Sequence, residues 1–147
     1  MSWLLRPAVE NDRDFCESLS RSNMEDYLVS RGIPWDSTRF LTSWTELDNL
    51  MILAEGQVVG LLRLLPEQDA LGLRDLQILP AYQGRGIGTW AVEQVQALAV
   101  ERGYQGVQLR VYRENPALAL YARLGFSTVS VVDGTIHMRW YAYSDRL

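Results

Sequence analysis

Two hydrophobic periods alternate along this chain, and their order predicts an α/β fold. Strand segments show alternating or continuous apolar residues, and helical segments show apolar residues every three or four positions. Trp3 to Ala8 reads as a first strand. Asn11 or Asp12 is placed to cap a helix running to about Ser30, with Phe15, Leu19, Tyr27 and Leu28 among its apolar residues. Gly32-Ile33-Pro34 breaks that helix. Asp36 or Ser37 begins a second one carrying Phe40, Leu41 and Trp44. Met51 to Ala54 and Val58 to Leu65 predict a hairpin across Glu55-Gly56-Gln57. Leu71 to Leu79 predicts the next strand, entered through Glu67-Gln68-Asp69. Gly86 to Gly103 carries Ile87, Trp90, Ala91, Val95, Leu98 and Ala99 at helical spacing. Val107 to Tyr112 is a strand, and a helix from Asn115 follows it. Phe126 to Val132 and Thr135 to Tyr141 form a closing hairpin across Asp133-Gly134. Strands and helices in this order predict a layered α/β fold with a mixed sheet. The length supports one domain, residues 1–147, with one core. No repeat, linker or low-complexity tract interrupts it.

The run Gln83-Gly84-Arg85-Gly86-Ile87-Gly88 stands between a predicted strand and a predicted helix. That arrangement points unpaired backbone N–H groups, and the positive end of the helix dipole, at an anion. Glycines let the main chain approach a phosphate closely. Spacing decides which phosphate. A P-loop needs Gly-Lys-Ser/Thr, and this chain has arginines but no lysine. A dinucleotide fingerprint needs G-x-G-x-x-G after the first strand of a βαβ unit; here the glycines fall at 84, 86 and 88, past mid-chain. Neither pattern fits.

A second motif follows the strand around Leu109-Arg110-Val111. It runs Asn115-Pro116-Ala117-Leu118-Ala119-Leu120-Tyr121-Ala122-Arg123-Leu124-Gly125-Phe126. Asn115 suits a helix N-cap, Pro116 the first helical position, and Gly125 the C-terminal stop. Together, Q-x-x-G-x-G at Gln83, Gly86 and Gly88 and N-x-A-x-x-x-Y-x-x-x-G-F from Asn115 to Phe126 resemble the GNAT superfamily of acyl-CoA-dependent N-acyltransferases. The resemblance covers roughly Val58 to Trp140. It departs at one point: in many relatives the Asn stands one residue further from the Tyr, where this chain has Glu114.

The resemblance implies a single-domain, mostly antiparallel mixed sheet of about seven strands, flanked by about four helices. The two motif-bearing strands run parallel and splay, and the cofactor arm enters the splay. Acetyl-CoA is the implied co-substrate, with an amine as acceptor. Gln83, Gly84, Arg85, Gly86, Ile87, Gly88 and Thr89 form the pyrophosphate loop, and the N–H groups of Arg85 to Thr89 are the candidate cradle. The backbone of Leu76, Gln77 and Ile78 pairs with the pantetheine amides. The N–H of Ile78 is the candidate to polarise the thioester carbonyl. Asn115 hydrogen-bonds the pantetheine arm, and Tyr121 protonates the departing thiolate.

The amine must also lose a proton. Some members carry a glutamate early in the strand before the glycine loop. Leu71-Gly72-Leu73-Arg74-Asp75 has none. Asp75 is the nearest carboxylate, with His137 and a water path as alternatives. Tyr27, Trp35, Trp44, Arg63, Gln77 and Tyr112 are candidates for the acceptor pocket.

Composition narrows the remaining classes. The net charge of −4 argues against a basic nucleic-acid face. The stretch from Glu10 to Asp48 is acidic, either a solvated helix face or an attraction for a cationic amine. No apolar run approaches the roughly 20 residues of a membrane span. The start, Met1 to Pro7, is too short and too soon charged for a secretory signal. A lone Cys16 and a lone His137 make an internal disulfide and a catalytic zinc site unexpected. The expectation is therefore a cytoplasmic enzyme without metal, nucleic-acid or membrane partners. A homodimer is expected only because many relatives pair. The alternative to an enzyme is a non-catalytic acyl-CoA-binding module.

Overall fold

The computed structural model describes residues 2–143. They form β1 (Trp3–Pro7), α1 (Arg13–Ser30), α2 (Ser37–Glu46), β2 (Asp48–Ala54), β3 (Gln57–Glu67) and β4 (Ala70–Ile78). There follow α3 (Ile87–Glu101), β5 (Gly106–Tyr112), α4 (Ala117–Arg123), β6 (Ser127–Val132) and β7 (Thr135–Tyr141). Single 3₁₀ turns precede α1 at Glu10–Asp12 and the glycine loop at Pro80–Tyr82. The seven strands form one sheet in the order β1-β2-β3-β4-β5-β7-β6. β1–β2, β2–β3, β5–β7 and β6–β7 are antiparallel, and β4–β5 is parallel. The parallel pairing joins Ala70–Leu73 to Gly106–Leu109, so it ends before either strand does. This is the mixed α/β sheet with four helices that the periodicity and the motifs predict.

Backbone contacts group the chain into two compact units. The first is the chain up to Leu64 together with Asp75–Gly88; the second is Leu65–Arg74 with the chain from Thr89 onward. In the first unit α1 buries Cys16, Leu19 and Ser20, three and four residues apart on one stripe. Cys16 and Leu19 join Phe40, Trp44, Met51 and Leu61 in a hydrophobic cluster. The Asp36 carboxylate caps α2 by accepting from the Arg39 N–H at 3.0 Å. In the second unit β5 is clearly two-faced: Val107, Leu109 and Val111 are buried, while Gln108, Arg110 and Tyr112 are not.

Turn chemistry sets the hairpins. Glu55-Gly56 and Asp133-Gly134 both take positive φ at their two central residues, the geometry of a two-residue hairpin turn. β2 and β3 consequently reach further than their apolar runs alone predict, with Asp48 pairing Leu64 and Gln57 pairing Ala54.

Candidate active site

In the first unit, the end of β4 and the glycine loop are tied together. Gly84 and Gly86 take φ of +75° and +90°, a region that disfavours any side chain. A Cβ on Gly84 would meet nothing within 4 Å, and one on Gly86 would meet only the Trp3 ring at 3.6 Å. Backbone conformation, not crowding, therefore requires glycine here. Gln83 through Gly86 are exposed, and Ile87 plugs the start of α3 into the interior. The Arg85 guanidinium lies over the Tyr82 ring at 4.9 Å. The Gln83 side chain turns back, its Nε2 donating to the Ile78 carbonyl at 3.0 Å. Asn23 of α1 donates to the same carbonyl at 3.0 Å and to Gln77 Oε1 at 3.1 Å. Leu79 N–H donates to Val59 at 2.8 Å. Strand end and loop are thus fixed from three sides. Gly60 of β3 contributes differently: a Cβ there would collide with the Gln77 carbonyl oxygen. Leu76 is half-buried, whereas Gln77 and Ile78 are buried.

Asp75, Gln77 and Arg63 meet in one polar network in this unit. Ser20 Oγ donates to Asp75 Oδ2 at 2.9 Å and Gln77 Nε2 donates to Oδ1 at 2.8 Å. The Arg63 guanidinium approaches Oδ2 at 3.9 Å. It also donates to Asn49 Oδ1 at 2.9 Å and Ser43 Oγ at 2.6 Å, and it covers the Phe40 ring at 4.5 Å. Arg63 is a buried cation whose contacts are satisfied inside the fold. Trp44 packs in the core against Phe40, their ring centroids 6.3 Å apart. Trp35 is half-buried, tilts against Phe40, and donates its indole N–H to Glu17 Oε2 at 2.8 Å. Tyr27 is half-buried in the last third of α1.

Asn115, Tyr121 and Tyr112 fall in the second unit. The Asn115 side chain accepts from the Ala117 N–H at 2.9 Å, but Pro116, expected at the first helical position, is itself the cap residue, and α4 begins at Ala117. Tyr121 is buried on α4 and tilts against Phe126, centroids 5.7 Å apart. Tyr112 is half-buried at the end of β5. A polar cluster that the sequence reading missed also lies here. Glu67 accepts from Gln108 Nε2 at 2.7 Å and from Arg74 Nη1 at 3.3 Å, directly over Gly72. An isolated glycine inside a strand, Gly72, is the one signal in the sequence that could have found it. Ser20 and Asn23 were also missed; polar residues beside the apolar stripe of α1 gave their only hint.

Electrostatics bear on the nucleophile question. Cys16 is fully buried with its Sγ 3.6 Å from Met51 Sδ, and burial pushes its thiol up to about 12. A thiol so held is not a nucleophile near neutrality. Among the described residues no three His, Cys, Asp or Glu side chains are gathered to hold a metal ion, and no helix is long and apolar enough to cross a membrane.

A family model described as the acetyltransferase (GNAT) family matches residues 14–126. A curated relative, the ribosomal protein bS18-alanine N-acetyltransferase of Haemophilus influenzae, is 31% identical over 83 residues, 56% of this chain and 57% of that protein. The chain therefore spans little more than half of that relative's length. The Thermoplasma acidophilum PaiA N-acetyltransferase, solved with coenzyme A, superposes with a TM-score of 0.76 at 17% identity, covering 96% of this chain and 99% of its own. The ribosomal-protein-S18-alanine N-acetyltransferase of Escherichia coli gives 0.73 at 20% identity, covering 99% of each chain. At these identities the two superpositions speak for the fold.

Proposed function

Because this chain belongs to the acetyltransferase (GNAT) family, we propose that it is an acetyl-CoA-dependent N-acetyltransferase acting as one domain over residues 1–147. The observation that carries the reading is the loop after β4. Two glycines in left-handed backbone stand at the mouth of α3, inside the matched region. Such a loop offers main-chain N–H groups and a helix dipole to a diphosphate. A coenzyme A-bound neighbour of the same fold supports that ligand class.

In this proposal Gln83 to Thr89 hold the diphosphate, with Gln83 setting the loop and the N–H groups of Arg85 to Thr89 as donors. The main chain of Leu76, Gln77 and Ile78 aligns the pantetheine arm, aided by Asn115, and the Ile78 N–H polarises the thioester carbonyl. The amine nitrogen attacks that carbon directly, the C–S bond breaks, and Tyr121 gives the thiolate a proton. Asp75 is the carboxylate that the sequence suggests for receiving the amine's proton. Tyr27, Trp35, Trp44, Arg63, Gln77 and Tyr112 remain its acceptor-side residues, with Arg63 and Trp44 acting through packing. The acceptor is a primary amine. A peptide with a free N-terminal alanine is the first to try, because a relative carries that specificity in its name. The cytoplasm is the expected compartment, and pairing of copies is decided by light scattering on the purified protein.

The test is thiol release from acetyl-CoA in the presence of an amine panel: N-terminal alanine peptides, lysine-containing peptides and simple alkylamines. Amine-dependent release supports the enzyme. Tight acetyl-CoA binding without release by any amine would instead favour a binding module.

A further inference from the structure

We propose, resting on the acyltransferase reading above, that Asn23 of α1 is a positioning residue for acyl transfer. With Gln83 it fills the Ile78 carbonyl oxygen, so that Ile78 meets the cofactor as a hydrogen-bond donor only. Asn23 Nδ2 and Gln83 Nε2 each donate to that oxygen at 3.0 Å. A carbonyl oxygen has two lone pairs, and here the chain itself partners both. Leu79 N–H, on the same peptide unit, donates to the Val59 carbonyl of β3 at 2.8 Å. A trans peptide points its C=O and N–H in opposite directions, so the Ile78 carbonyl faces away from β3. In an extended strand the N–H and C=O of one residue lie on the same side, so the Ile78 N–H faces away from β3 as well. The pairing of β4 with β5 runs from Ala70 to Leu73, and Ile78 lies beyond it. An extended partner at Ile78 would normally use both groups. With the carbonyl filled, only an acceptor can pair there. A thioester carbonyl oxygen is such an acceptor; an amide N–H is not.

The orientation of Asn23 follows from a chain of polar groups, all in the first unit. The Asp75 carboxylate only accepts, so Gln77 presents Nε2 to its Oδ1, at 2.8 Å. That turns Gln77 Oε1 toward Asn23. Oε1 also only accepts, so Asn23 presents its amide nitrogen, at 3.1 Å. The same nitrogen reaches the Ile78 carbonyl. The chain starts from a carboxylate held by Ser20 Oγ at 2.9 Å and faced by Arg63 at 3.9 Å. Ser20 and Asn23 stand three residues apart, on one face of α1. Each amide is thus fixed by the group before it, and α1 and the glycine loop converge on one oxygen atom.

Loss of the Asn23 donor leaves one lone pair of that oxygen open and holds the Ile78 peptide from the Gln83 side alone. The N–H that meets the thioester then loses its alignment, while the loop that holds the diphosphate keeps its own backbone. The effect belongs to the acyl group, not to cofactor affinity.

The experiment binds acetyl-CoA, labelled with carbon-13 at the thioester carbonyl, and reads that carbonyl's stretch by isotope-edited infrared spectroscopy. In the wild-type complex the stretch should fall below that of free acetyl-CoA, because a hydrogen bond weakens the C=O bond. Asn23→Leu removes the donor, and Asn23→Asp removes it while keeping the size. Both should reverse part of the lowering. With the most active member of the amine panel, both should lower kcat about 10- to 100-fold. Affinity for coenzyme A by calorimetry should stay unchanged. A lowered melting temperature with wild-type stretch and kcat would make Asn23 a stability residue and overturn the assignment. A matching loss of coenzyme A affinity would tie Asn23 to the loop rather than the acyl group, and would overturn it too. So would a wild-type complex whose stretch equals that of free acetyl-CoA. Each of these leaves the acyltransferase reading intact. Failure of the wild type to bind acetyl-CoA would overturn that reading, and this assignment with it.

Discussion

Substituting Gly86 by alanine isolates what the glycine loop contributes to cofactor binding. Gly86 sits at φ +90°, and a Cβ there meets nothing nearer than the Trp3 ring at 3.6 Å. The methyl group therefore fits, and the cost is conformational: about 1–2 kcal/mol to hold an L-residue in left-handed backbone. The loop is exposed, so in the free protein it can relax out of that conformation with little loss of global stability. Binding a diphosphate then has to restore it. At about 1.4 kcal/mol per factor of ten, Gly86→Ala should weaken acetyl-CoA binding by about 5- to 30-fold. Gly86→Asp adds the same strain and a carboxylate beside the diphosphate, so its loss should be larger and should shrink as salt is raised. Isothermal titration calorimetry on both variants, with melting temperatures as a folding control, reads the effect. If both folded variants bind as tightly as the parent, the loop does not cradle the cofactor, and the reasoning from its φ angles fails.

Other perturbations separate the remaining roles. Tyr121→Phe keeps the packing against Phe126 and removes only the hydroxyl; kcat should fall on the order of 100-fold with cofactor affinity kept, and full turnover when chemistry limits the rate would leave Tyr121 a packing residue. Arg63→Met removes a buried cation from Ser43, Asn49 and Asp75 and should cost about 2–3 kcal/mol of stability in urea titrations; a midpoint like the parent's would show that the network contributes little. Asp75→Asn in the same titration should cost less than Arg63→Met, because an amide still accepts from Ser20; an equal or greater loss would put the network's main weight on the Asp75 charge. Asp12 and Glu17 both have lowered carboxyl pKa values, Asp12 chiefly by the Arg6 hydrogen bond and Glu17 chiefly by the Trp35 indole N–H. Their stabilisation is fully present above the ordinary values of 3.8 and 4.5 and is lost as pH falls through the lower folded-state values. Asp12→Asn and Glu17→Gln should each flatten the fall of melting temperature below about pH 5; an unchanged slope would remove that carboxylate from the account.

Much of the fold was legible because its signals are local. Gly32, Gly103 and the two-residue hairpin turns stop elements through backbone geometry that only a few residue types adopt. The boundaries of α1, α2 and β5 follow for the same reason. The glycine loop was readable as a strand-to-helix turn because Gly84 and Gly86 take left-handed backbone that few other residue types adopt. The polar networks were not, since they join residues far apart in sequence. Asp75 meets Ser20 and Arg63, and Glu67 meets Gln108 across two strands. No periodicity records such a meeting. Trp44 and Arg63 show the same gap from the other side: residue type suggested a pocket, and packing placed one in a hydrophobic core and the other under α2 with its donors engaged. A glycine in the middle of a strand was the one local sign of the Glu67 cluster, and its meaning depends on what reaches over it.

The central claim is that this chain transfers an acetyl group from acetyl-CoA to an amine. The direct measurement incubates the wild-type protein with acetyl-CoA and the amine panel, follows free thiol continuously, and identifies the product by mass. The account predicts thiol release that depends on both protein and amine, with a matching mass gain of one acetyl group on the amine. Acetyl-CoA left intact with every amine, or thiol released at the same rate without any amine, would contradict it.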